Sequence, residues 1–103
     1  MIDKKLLEKK IDLDSHLGVK DMAWKYQDAL KVIHFCKNNN LFIYGGDVLS
    51  INKDGCIDFT YDNWSTDNIK DESSVKAADF SLNYINCYPK KEDFIFTISI
   101  KGI

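Results

Sequence analysis

Asn52-Lys53-Asp54-Gly55, set between two runs of β-forming residues, constrains this chain more than any other segment. Such a turn puts glycine where the backbone takes a positive φ, and it makes the flanking runs pair antiparallel. Asp47-Val48-Leu49-Ser50-Ile51 enters the turn. Cys56-Ile57-Asp58-Phe59-Thr60-Tyr61 returns from it, with Ile57, Phe59 and Tyr61 on one face. Upstream, Leu41-Phe42-Ile43-Tyr44 is too short for a helix and rich in β formers, so it reads as a strand running into Gly45-Gly46. Near the other end, Phe94, Phe96, Ile98 and Ile100 alternate with Ile95, Thr97 and Ser99, which is the period of a further strand.

Two segments carry a helical period instead. Tyr26, Ala29, Leu30, Ile33 and Cys36 mark a helix over residues 26–39, closed by Asn38-Asn39-Asn40 because Asn tolerates the left-handed backbone of a C-terminal cap. Asp71-Glu72-Ser73-Ser74 supplies acidic residues and caps for a second helix over residues 72–87. Its stripe is Val75, Ala78, Leu82 and Ile85, flanked by Phe80 and Tyr84, and Pro89 follows its end. Trp24 reads as a core anchor or hydrophobic staple before the first helix. Residues 1–16 form a Lys-rich N-terminal piece, helical or frayed, and Gly18 reads as a turn or helix stop. Hairpin-linked strands beside segregated helices predict an α+β fold, with two main helices packed on one face of a small, mostly antiparallel sheet of about four strands. The whole chain, 1–103, reads as a single domain, and its 45% hydrophobic content is enough for one core.

Composition removes several functions. All 14 basic residues are Lys, and the net charge is −2. Arg is the residue best suited to gripping phosphates and guanine edges, so nucleic acid is not the expected partner. No window approaches the ~20 apolar residues of a membrane span, and no signal peptide is evident, so the expected location is the cytoplasm. Cys36, Cys56 and Cys87 form no CxxC pair. Cys36 and Cys87, among apolar neighbours, are expected to be small buried hydrophobes.

The polar motifs need closer weighing. Gly45-Gly46-Asp47 lacks the spaced glycines of a dinucleotide site and the Lys-Ser/Thr of a P-loop. The glycines read as a structural device, a bulge or tight bend that re-aims Asp47. Asp47 and Asp62, with Asp58 nearby, could be a carboxylate pair for acid–base or metal chemistry, but no histidine accompanies them. His16 and His34 read as surface or half-buried imidazoles, so neither an enzyme nor a cofactor is expected. Tyr61-Asp62-Asn63-Trp64 admits two accounts: a turn closed by side-chain to backbone bonds with Trp64 over the core edge, or a contact surface. Tyr44, Tyr61 and Trp64 gather with carboxylates at the open end of the hairpin. Rings with a polar end are enriched at binding hot spots, and carboxylates steer a basic partner.

Leu17-Gly18-Val19-Lys20, Gln27-Asp28-Ala29, Gly45-Gly46-Asp47-Val48, Tyr61-Asp62-Asn63-Trp64, Ala77-Ala78, Tyr84-Ile85 and Tyr88-Pro89 together resemble the immunity protein 40 family of bacterial polymorphic toxin systems. The resemblance spans roughly residues 17–98, with Ser65 where an aromatic often follows the tryptophan. It implies a cytosolic α+β immunity factor encoded beside a secreted toxin. Its partner would be that cognate toxin, such as a nuclease or other basic toxin domain, with no nucleic acid or membrane bound. Joined to the residue-level reading, it predicts a partner-binding surface of Tyr44, Asp47, Tyr61, Asp62, Asn63 and Trp64, with Gly45 and Gly46 structural. Alanine at Asp47 or Trp64 is then expected to weaken binding without unfolding the domain. The other reading is a non-catalytic adaptor for a small polar ligand or peptide strand, and the sequence leaves the oligomeric state open.

Overall fold

The hairpin forms around Asn52, whose Oδ1 accepts hydrogen bonds from the backbone N–H groups of Asp54 and Cys56, both at 2.9 Å. Gly55 takes the expected positive φ, +80°. The computed structural model describes residues 4–13, 22–69, 71 and 73–102. In chain order the elements are a helical turn α1 (Lys4–Leu7), β1 (Ile11–Asp12), β2 (Met22–Lys25), α2 (Tyr26–Asn38), β3 (Ile43–Ile51) and β4 (Ile57–Ser65). They continue with α3 (Ser74–Cys87), a 3-10 turn (Lys91–Asp93), β5 (Phe94–Thr97) and β6 (Ser99–Ile100). His16, Gly18 and Glu72 lie outside the described residues.

The class is α+β, as expected, but the described sheet has six strands and not about four. Its order is β1-β2-β5-β3-β4, with β6 also paired to β3, and every pairing is antiparallel. Strand β2 escapes the sequence reading because nothing punctuates it: Lys25 ends the strand and is also the N-cap of α2, without a side-chain capping bond. The expected strands at 41–44 and 47–51 are one strand, β3, with an irregularity at the glycines as expected, where the pairing with β6 shifts register between Ile43 and Gly45. The expected single strand near residues 94–100 is two, because β5 lies between β2 and β3 while β6 pairs further along β3 at Ile43 and Gly45.

Helix α2 buries Tyr26, Ala29, Val32, Ile33 and Cys36. Its end follows the Asn run: Asn40 is left-handed at φ +56°, and Leu41 N–H bonds back to the Cys36 carbonyl at 2.9 Å. Ser73 caps α3 by accepting from the Lys76 N–H at 3.2 Å. The buried face of α3 is Ala77, Ala78, Ser81 and Ile85, rotated from the expected stripe, and Val75 is exposed. Small side chains win there because the helix rests on the ring of Trp64.

Two apolar clusters flank the sheet. Both long helices contribute to one, which includes Trp24, Val48, Trp64 and Phe96. On the opposite face Leu13, Ala23, Leu49, Ile57 and Ile95 form a smaller cluster with no helical residue. Strands apolar on both faces, such as Phe94-Ile95-Phe96, carry its signature. Cys36 is buried, and burial pushes its thiol up to about 11. Cys87, expected inside, is exposed on the outer side of α3, as is Cys56 on the hairpin. Among the described residues no helix is long and apolar enough to cross a membrane.

Candidate functional site

Antiparallel pairing lays the two polar motifs directly against each other: Gly45 faces Ser65, Gly46 faces Trp64 and Asp47 faces Asn63. Asp62, Asn63 and Trp64 are strand residues, not members of a terminal turn. Because side chains alternate across a strand, this register sorts the candidates between two faces.

Trp64 points to the helix side and is 5% exposed. Its indole Nε1–H donates to Ser81 Oγ at 3.0 Å, and that hydroxyl donates to the Ala77 carbonyl at 2.8 Å. The ring stacks on Tyr84 with centroids 5.0 Å apart. The glycine pair makes this possible. A Cβ on Gly46 would overlap the Trp64 ring and the Thr97 carbonyl oxygen, and one on Gly45, at φ +150°, would strike the Trp64 carbonyl oxygen. Gly45, Gly46 and Trp64 are therefore one packing unit, and a ring so buried offers a partner almost no area. Trp64, expected at the contact surface, is thus placed in the core beneath it, with its ring against α3.

Asp62 also turns to the helix side. Its Oδ2 accepts from the Tyr88 hydroxyl at 2.6 Å. Burial, then this bond, hold the Tyr88 phenol above its ordinary value of 10.0; burial and the charge of Asp62 do the same for Tyr84. Raised folded-state values mean stability that is complete below the ordinary tyrosine range and lost as pH rises through the folded values. The urea midpoint is expected to fall as pH rises above about 10, the ordinary tyrosine value, and Asp62→Asn to lessen the fall.

Asp47 and Asn63 sit on the other face, shared with Leu49 and Phe59. With Tyr44, Ser65, Asp67 and Ser99 they line a shallow depression of about 290 Å³. Its frame is fixed by bonds to backbone: Asp47 N–H donates to Thr97 Oγ1 at 2.8 Å, and the Thr66 hydroxyl donates to the Ile43 carbonyl at 2.7 Å. Thr66 N–H bonds the Tyr44 carbonyl at 2.9 Å, and Asp67 N–H bonds Ser65 Oγ at 3.2 Å. Among the described residues neither Asp47 nor Asp67 has an ion-pair partner. Asp67 went unnoticed in the sequence, although Ser65-Thr66-Asp67 carries the hydroxyls that lock it.

Tyr61 stands apart again. Between the Asp47–Asn63 and Leu49–Phe59 pairs, Val48 alone opposes Thr60, Tyr61 and Asp62, so β4 bulges. Thr60 Oγ1 closes the bulge, donating to the Val48 carbonyl at 2.7 Å and accepting from Asp62 N–H at 3.1 Å. Tyr61 is left-handed at φ +68° and 86% exposed. The structure thus joins Tyr44, Asp47 and Asn63, places Tyr61 beside them along β4, and turns Asp62 and Trp64 away. Asp47 and Asp62 do not share a site, and no cluster of three or more metal-ligating side chains occurs among the described residues.

Fold and site define a small α+β domain with a shallow depression, lined by Tyr44, Asp47, Asn63 and Asp67, at one end of its antiparallel sheet. The sequence model of the immunity protein 40 family matches residues 13–100. The chain belongs to that family. No curated protein and no solved structure matches it.

Proposed function

We propose that the protein binds a cognate bacterial toxin and neutralises it, as a non-catalytic, cofactor-free immunity factor of the cytoplasm. One observation carries this reading: among the described residues Asp47 and Asp67 have no ion-pair partner, and they stand beside Tyr44 and Asn63 on a surface locked by backbone bonds. Bare carboxylates on a rigid frame attract a basic partner, and binding then needs little reordering. A basic toxin domain, such as a nuclease, would lose access to its phosphate substrate once its cationic surface was covered. In this reading Tyr44, Asp47, Tyr61, Asn63 and Asp67 make contact. Gly45, Gly46 and Trp64 keep the surface in shape, and Asp62 ties β4 to α3.

The test is co-expression with the toxin encoded beside it, scoring growth rescue and co-purification. Asp47→Ala and Asp67→Ala are each expected to weaken binding by about 2 kcal/mol, roughly thirty-fold, with the unfolding midpoint unchanged. Association of the wild type should slow as salt rises, and the double variant should show a flatter dependence. Folded variants that bind like the wild type would place the docking face elsewhere.

A further inference from the structure

Three described non-glycine residues have positive φ: Asn40, Tyr61 and Lys90. Asn40 closes α2 and Lys90 opens the 3-10 turn, but Tyr61 lies inside a strand. That backbone region is uncommon for a bulky aromatic and persists only where surrounding structure imposes it. Thr60 imposes it here, and Asn63 Nδ2 adds a bond to the Tyr61 carbonyl at 3.4 Å. The ring gains little from the fold. It is 86% exposed, and its ring neighbour is Phe59, itself 46% exposed, with centroids 6.1 Å apart. An edge strand usually hides or charges such residues; this one displays them.

Two further facts identify what would cover the pair. Phe59 shares its sheet face with Asp47 and Asn63, so the aromatic pair extends the acidic depression along β4. Residues 54–67 also contain Asp54, Asp58, Asp62 and Asp67 and no Lys, in a chain with 14 lysines. We infer that Phe59 and Tyr61 are the apolar anchor of the toxin interface, with Tyr61 held out by the bulge to enter a cleft rimmed by basic side chains on the toxin. This rests on the immunity reading and adds to it the partner's chemistry: an apolar cleft with a cationic rim.

The test uses the whole protein and an inactivated form of the toxin domain encoded beside it. Glycine accepts the left-handed backbone, so Tyr61→Gly should fold with an unfolding midpoint at or above that of the wild type. Its dissociation constant should rise at least about thirty-fold, and that of Phe59→Ser at least about tenfold. Phe80→Ser, which removes a ring 44% exposed on α3, should leave affinity unchanged. Tyr61→Gly binding within about threefold of the wild type overturns the anchor, while losses in Asp47→Ala and Asp67→Ala would leave the depression standing. A wild-type protein that fails to bind the toxin removes the immunity reading, and the anchor with it.

Discussion

Trp64→Ala is expected to lower the unfolding free energy by about 3–5 kcal/mol. Domains of this size hold on the order of 5–15 kcal/mol in total, so this one substitution would remove a large share of the stability. The loss has three parts. A large ring leaves the helix-side core, Tyr84 loses its stacking partner, and Ser81 loses the donor it accepts from. Urea unfolding followed by circular dichroism measures it. Trp64→Phe should recover more than half the loss, because an aromatic ring still fills the space and only the indole N–H is missing. A variant with wild-type stability and weak toxin binding would restore Trp64 to the contact surface.

Gly46→Ala is expected to cost about 3 kcal/mol, a large penalty for one methyl group. The methyl has no room. One obstacle, the Thr97 carbonyl, is backbone of the adjoining strand, and the other is a ring already pinned by its bond to Ser81. Strand β3 would have to pull away from β5 or Trp64 would have to leave its pocket. Gly55→Ala provides the contrast: nothing lies within 4 Å of its Cβ position, so only the strain of φ +80° remains. That change should cost about 1 kcal/mol. Equal losses at the two glycines would mean that backbone conformation, not close approach, explains the motif.

These two substitutions bear on how much of the molecule was legible in its residues. Helix α2 was, because Tyr26, Ala29, Ile33 and Cys36 repeat with the period of the element that buries them. The hairpin was, because Asn52 and Gly55 have local conformational preferences that act before any tertiary contact forms. Helix α3 was found but its orientation was misread. Hydrophobicity favours Val75 and Leu82, whereas the indole of Trp64 needs space and an acceptor, and Ala77, Ala78 and Ser81 provide them. That requirement comes from a strand across the domain and leaves no periodic trace. Strand β2 was missed for a similar reason. Its identity depends on pairing with Phe94–Thr97, more than sixty residues away in the chain.

The candidate site divides along the same line. That the two motifs lie side by side was legible, since Gly45-Gly46-Asp47 pairs with Asn63-Trp64-Ser65. The face each side chain takes was not, because alternation sorts residues into two sets but does not say which set the helices cover. The bulge at Thr60–Asp62 is closed by a threonine hydroxyl that looks unremarkable in the chain. Alternation along β4 separates Asn63 from Asp62 and Trp64, so one tetrapeptide serves two surfaces.

Strand β5 is synthesised after both long helices and the hairpin, yet it occupies the middle of the sheet between β2 and β3. Until it is inserted, the earlier strands have no neighbour to join them and the apolar faces beneath Trp24 and Val48 stay open. Such long-distance closure slows folding. In the proposed function, the face that meets the toxin therefore gains its central support only after residues 94–97 have left the ribosome.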